Sequence, residues 1–138
     1  MIVEVMDPKT AAGLGALELA YIGDCVFELY VRTDMLTGSG KKVKELHPAV
    51  VKRVCAAGQA ELSRRLQPIL TEEEQAVFLR GRNHRHARIP KGSSPAEYAL
   101  ATGFESLMGF LYLCGRQDRI LELLRYCEKS TLPEEQRA

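Results

Sequence analysis

This chain has no surplus of either charge. Its 19 Lys and Arg stand against 18 Asp and Glu, a formal net charge of +1. The global positive field of a strongly basic nucleic-acid-binding domain is therefore missing, and any polyanion site must be a local patch. No apolar run approaches the ~18 residues that suggest a membrane-spanning helix. The stretch from Met1 to Pro8 lacks a basic segment followed by an apolar one, so no signal peptide is indicated. The four cysteines, Cys25, Cys55, Cys114 and Cys127, make no CxxC pair. Three of them fall in expected apolar helices and read as reduced packing residues, which points to the cytoplasm. Repeats, low-complexity blocks and alternating strand patterns are also missing. The 138 residues, 46% hydrophobic, are expected to form one domain around a single core.

The periodicity is helical throughout, which predicts an all-α fold. A first helix is expected from near Leu14 to about Leu36, stopped by Thr37-Gly38-Ser39-Gly40. Pro48 suits the first turn of a second helix running to about Leu66, with Val50, Val51, Val54, Ala57 and Leu62 inward and Pro68 as its breaker. Thr71-Glu72-Glu73-Glu74 reads as a capping box opening a helix to about Gly81. A polar, basic loop follows to Ser94, and Ser94-Pro95-Ala96-Glu97 reads as cap, first-turn proline and first-turn acid of the next helix. A last helix is expected from Gln117 to Lys129, with Ile120, Leu121, Leu123, Leu124 and Cys127 inward, before a short polar tail.

Two apolar runs each carry an acid. Asp24 lies within Leu17–Arg32 and Glu105 within Tyr98–Leu113. A buried carboxylate costs several kcal/mol unless a cation or hydrogen bonds compensate it, so both acids ask for partners, and a divalent ion held between two helices would satisfy both. For one such acid in an arbitrary helical protein, an internal salt bridge or helix cap is the commoner explanation. Gly103 and Gly109 suggest close packing of the second run against the first.

The wording of these runs carries a resemblance. Ile22-Gly23-Asp24-Cys25-Val26-Phe27-Glu28 resembles the signature of the ribonuclease III catalytic domain, and Ala101-Thr102-Gly103-Phe104-Glu105-Ser106-Leu107-Met108-Gly109 resembles the segment that follows it in that family. Leu19-Ala20-Tyr21-Ile22-Gly23-Asp24 and Arg80-Gly81-Arg82-Asn83 are most similar to the short Mini-ribonuclease III branch, which has no double-stranded-RNA-binding domain. The resemblance covers about residues 10 to 127. It implies a ribonuclease III helical bundle and an Mg²⁺-dependent endoribonuclease, with Mn²⁺ able to substitute. It implies Glu105 as a direct metal ligand, and Asp24 as ligand or water-positioner in the same site. It also implies products with 5′ phosphate and 3′ hydroxyl ends, a two-fold homodimer through the first signature helix, and the 23S precursor ribosomal RNA stem as substrate, with presentation by a ribosomal protein left open. Full-length members carry further acids where this chain has Ala20 and Thr102; Glu45 is a candidate for another family acid near residues 43 to 45.

The expected RNA-binding segment is Arg80–Lys91, with four arginines, two histidines and a lysine in twelve residues. Its candidate contacts are Arg80, Arg82, Asn83, His84, Arg85, Arg88 and Lys91. A-form RNA is gripped chiefly through phosphates and 2′-hydroxyls, which suits such a loop, although a merely solvated loop is as common. It holds no aromatic platform for single strands. His84 and His86 alternate within it rather than lining a helix face, so they read as phosphate contacts or bystanders and not as zinc ligands. Lys41, Lys42 and Lys44 form a weaker basic candidate. The rival readings are a catalytically weak or inactive RNA-binding adaptor, prompted by Ala20 and Thr102, and a structural helical dimer whose basic loop meets another acidic partner.

Overall fold

The computed structural model describes residues 5–86 and 88–129, and among these the regular structure is helical with no strand. The elements are α1 (Pro8–Ala12), α2 (Ala16–Ser39), α3 (Val43–Val54), α4 (Ala56–Leu66), a 3₁₀ turn (Gln67–Ile69), α5 (Glu72–Arg82), α6 (Pro95–Leu113) and α7 (Gln117–Lys129). The expected all-α fold is what the chain adopts. The polar tail beyond Lys129 lies outside the described residues.

The central element is α6, which packs against α2, α4 and α5. From Ala101 to Leu111 every residue except Glu105 is buried, the pattern of a helix apolar all round and enclosed by neighbours. Phe104 meets Phe27 of α2 edge to face, with ring centroids 4.8 Å apart. The α2–α6 crossing is unusually close because glycine faces backbone on both sides. A Cβ at Gly23 would overlap the Glu105 carbonyl, and one at Gly109 would overlap the Leu19 carbonyl. Gly109 thus has the expected role. Gly103 does not, since it makes room for Phe78 of α5 rather than for α2.

Local signals behave as expected at the starts of α5 and α6, and α1 is a short helix that the expected start near Leu14 did not include. Asp7 caps α1 through the Thr10 amide; Thr71 and Glu74 form the reciprocal capping box of α5; Ser94 accepts from the Glu97 amide with Pro95 in the first turn of α6. Glu74 does more than cap. Almost fully buried, it receives two hydrogen bonds from Arg119, each 2.8 Å long, which tie α7 to the start of α5.

Two boundaries differ. Helix α2 continues through Thr37-Gly38-Ser39, with the Thr33, Thr37 and Ser39 hydroxyls bonding to carbonyls one turn back, and the chain leaves the helix only at Gly40, φ 66°. The expected helix from Pro48 to Leu66 is two helices, broken at Cys55 with ψ 167°. Gly58 lets the corner close, since a Cβ there would strike the Arg53 carbonyl. Pro48 lies inside α3, not at its start. The break re-aims the apolar face: Leu46, Val50, Ala60 and Leu66 are buried, whereas Val51 and Ala57 are exposed.

Candidate active site

The Gly23 contact determines what lies beside Glu105. With Gly23 pressed on the Glu105 backbone, the next residue of α2, Asp24, is close enough for its charge to act on the Glu105 carboxyl. A further tie is the Ser106 hydroxyl, which donates to the Ala16 carbonyl over 2.9 Å and holds the start of α2 against α6. The two candidate acids, far apart in sequence, therefore meet at one helix crossing.

Their environments differ. Glu105 is partly buried, and that burial together with the negative charge of Asp24 pushes its carboxyl up to about 8. Asp24 is also raised, first by partial desolvation and then by Glu28. Its embedding was overstated by the sequence: Asp24 is exposed at the rim of the crossing. The cause is that the apolar run of α2 does not all face inward. Leu17 is 47% exposed, Leu29 63% and Tyr21 81%, so Asp24 stands between a buried stripe with Phe27 and Val31 and an uncovered apolar one.

The donor set is sparse. Ala20 offers no oxygen donor, and the Thr102 hydroxyl donates to the Tyr98 carbonyl over 3.0 Å. Glu28 is paired with Arg32 at 2.7 Å. Among the described residues no group of three or more Asp, Glu, His or Cys comes together as a metal site, and Glu45 is exposed in the first turn of α3. Two raised carboxylates, the buried one opposed by the charge of the other, with hard oxygen donors and access to water, nonetheless fit a divalent cation whose remaining positions are taken by water.

The basic segment divides. Arg80 does not extend freely: its guanidinium donates to the Ala12 and Leu14 carbonyls and holds the turn between α1 and α2. Arg82, Asn83, Arg85, Arg88 and Lys91 are exposed, with the Arg82 Nε donating to Asn83 Oδ1 over 3.2 Å. His84 and His86 are half-buried, their rings 5.0 Å apart. His86 packs 4.5 Å from the Tyr98 ring and lies 3.3 Å from Thr102 Oγ1. Burial, then His84, lowers its pKa. This attachment to α6 was missed from the sequence, where nothing in an alternating His-x-His marks one ring as docked. Lys41, Lys42 and Lys44 are exposed around the start of α3.

Comparison with known proteins finds relatives over most of the chain. A family model described as the ribonuclease III domain matches residues 17–116, which contain both acids and the loop. A Mini-ribonuclease 3 from Symbiobacterium thermophilum is 45% identical over 112 residues, covering 81% of this chain and 86% of that protein. Another from a Thermoanaerobacter species is 40% identical over 121 residues, covering 88% and 85%. A crystal structure of a Fusobacterium nucleatum protein superposes with a TM-score of 0.76 at 27% identity, covering 85% of this chain and 93% of that one.

Proposed function

Because this chain belongs to the ribonuclease III family, in its Mini-ribonuclease 3 branch, and is an endoribonuclease, we propose that it cuts double-stranded RNA with Asp24 and Glu105 as its catalytic pair and Mg²⁺ as its cofactor. The observation that carries this reading is the helix crossing, where Gly23 and Gly109 bring two acids from distant segments together. Glu105, raised to about 8 without a cation, has the most to gain from one. A bound divalent ion supplies an activated water and neutralises charge growing on the scissile phosphate. Glu105 would be its direct protein ligand. Asp24, more open to water, would orient the nucleophile or share the ion. The exposed Arg82, Arg85, Arg88, Asn83 and Lys91 would hold phosphates and 2′-hydroxyls of the duplex.

A second copy fits the uncovered stripe of α2. Leu17, Tyr21 and Leu29 run beside Asp24, and a shallow apolar groove formed by Met6, Leu14, Leu17, Tyr21, Ile22 and Leu113 adjoins them. A two-fold dimer through this face would cover it and set two sites across one duplex. The substrate we propose is the precursor 23S ribosomal RNA stem, cut in the cytoplasm, where a ribosomal protein could present it. The adaptor alternative makes the opposite prediction about cleavage. Incubating the protein with precursor stems, with and without Mg²⁺, and mapping both cut ends separates the two. Cleavage should need the ion and vanish in Asp24→Asn and Glu105→Gln while helicity and assembly persist; substantial cleavage by either variant would remove the acids from the mechanism.

A further inference from the structure

Among the described residues, the backbone hydrogen bonds of the loop between α5 and α6 cluster at its ends, from Asn83 to Leu79, His84 to Gly81 and Ser93 to Pro90. Between those ends the basic segment meets the body of the protein through His86. Its ring lies against Tyr98, and its Nε2 is 3.3 Å from Thr102 Oγ1, both on α6. The Thr102 hydroxyl has one proton, directed to the Tyr98 carbonyl one turn back at 3.0 Å. With that proton so placed, its oxygen accepts from His86 in the tautomer that carries the proton on Nε2. Thr102 is itself buried and stands three residues, about 4.5 Å of helix rise, before Glu105. The loop is thus pinned by one hydrogen bond three residues before the candidate acid and one ring contact a further turn back, at Tyr98.

We propose that His86 is a positioning residue that latches the basic loop onto α6, so that Arg82, Arg85 and Arg88 meet the duplex already placed relative to Glu105. This rests on the reading of the loop as the RNA-binding segment. A loop fixed before binding has less freedom to lose on binding, so the latch should act on affinity more than on chemistry. In the tautomer with the proton on Nε2, low pH leaves the latch closed, because protonation then adds a proton at Nδ1 and keeps the Nε2 donor in place.

Steady-state cleavage of a short RNA duplex at saturating Mg²⁺ tests the latch with four variants. His86→Ala should raise KM about tenfold with kcat within twofold of the parent, since only the placement of the loop is lost. His86→Gln, whose amide nitrogen reaches the same oxygen, should recover most of the loss. Thr102→Val removes the acceptor at nearly constant shape and should reproduce the His86→Ala effect. The double variant should be no worse than either single one, because both break the same contact. Thermal midpoints and helix content should stay at parental values throughout. An unchanged KM in His86→Ala, a fall confined to kcat, no recovery by Gln, or additive losses would each overturn the proposal. The combined Arg82→Ala, Arg85→Ala, Arg88→Ala variant identifies which layer failed. If it loses duplex affinity while His86→Ala does not, the latch alone is wrong. If it binds as the parent does, the loop reading falls and the latch with it.

Discussion

Glu105→Gln should stabilise the metal-free protein at alkaline pH and leave it unchanged in acid. In the folded chain the Glu105 carboxyl is raised from 4.5 to about 8 by burial first and by Asp24 second. Between those values the folded state binds a proton that the unfolded state has released, so stability falls as pH rises through that window. Below it both states are protonated and nothing is lost; above it the whole penalty applies. At ~1.4 kcal/mol per pK unit the ceiling is roughly 4 to 5 kcal/mol, and partial exposure screens it to a few kcal/mol. Glutamine has the same shape and no charge to bury. Urea unfolding in EDTA from pH 4.5 to 9 should therefore show the two proteins coinciding at the acid end and Glu105→Gln ahead at the alkaline end. Mg²⁺ should close the gap by lifting the parent alone, by about 2.7 kcal/mol at a hundredfold excess over its dissociation constant. Ion binding must also expel the Glu105 proton, so apparent affinity should rise close to tenfold per pH unit below 8. A difference between the two proteins that ignores pH, or Mg²⁺ stabilising both equally, would refute the reasoning.

Gly23→Ala should cost about 1 to 3 kcal/mol or more and abolish most cleavage, because its Cβ meets the Glu105 backbone, whereas Gly38→Ala, with open space around it in the same helix, should gain up to ~1 kcal/mol. Paired urea titrations would show it, and equal midpoints for the two variants would remove the close crossing as a constraint. Arg80→Ala should lower stability by about 1 kcal/mol through its carbonyl contacts while leaving the salt dependence of RNA binding alone, and Arg82→Ala should do the reverse, its salt slope falling by roughly 0.7 to 0.9. A slope that changes with Arg80 instead would place that side chain on phosphate. In mixtures of parent with excess Asp24→Asn subunits, heterodimers should nick one strand only; double-strand breaks in a single encounter would rule out one site per strand.

Much of the fold was legible because its signals are local. Ser94-Pro95-Ala96-Glu97 and Thr71-Glu72-Glu73-Glu74 place helix starts by hydrogen bonds that side chains make with amides three residues away, and the structure contains them. The corner at Cys55 was not legible. Proline is easily taken as a helix start, yet Pro48 gives up one hydrogen bond inside α3, and the true break depends on Gly58 meeting the Arg53 carbonyl, a contact that exists only once the corner has formed. The stop of α2 was anticipated too early for a related reason. Thr37 and Ser39 weaken helices in general, but here their hydroxyls bond back to the preceding turn and the glycine that ends the helix is Gly40.

The candidate site shows a different limit. Hydrophobic periodicity says that a side chain avoids water, not which surface covers it. Along α2 the residues Leu19, Phe27 and Val31 are covered by this chain, while Leu17, Tyr21 and Leu29 are as apolar and are left open. A sequence reading that counts both sets as core places Asp24 too deep. On the exposed side of α2 the acid is reachable by water and by a phosphate, and the same apolar stripe invites a second copy close to it. Glu105, the exception in an otherwise buried stretch of α6, faces it from the protected side. The pair is thus asymmetric: one carboxyl held near neutral pH by burial, the other more open to solvent. Such a pair can take up a cation on the buried acid while the exposed one remains free to position water, a division of labour that spacing in the sequence could not reveal because it depends on which face of α2 the chain leaves uncovered.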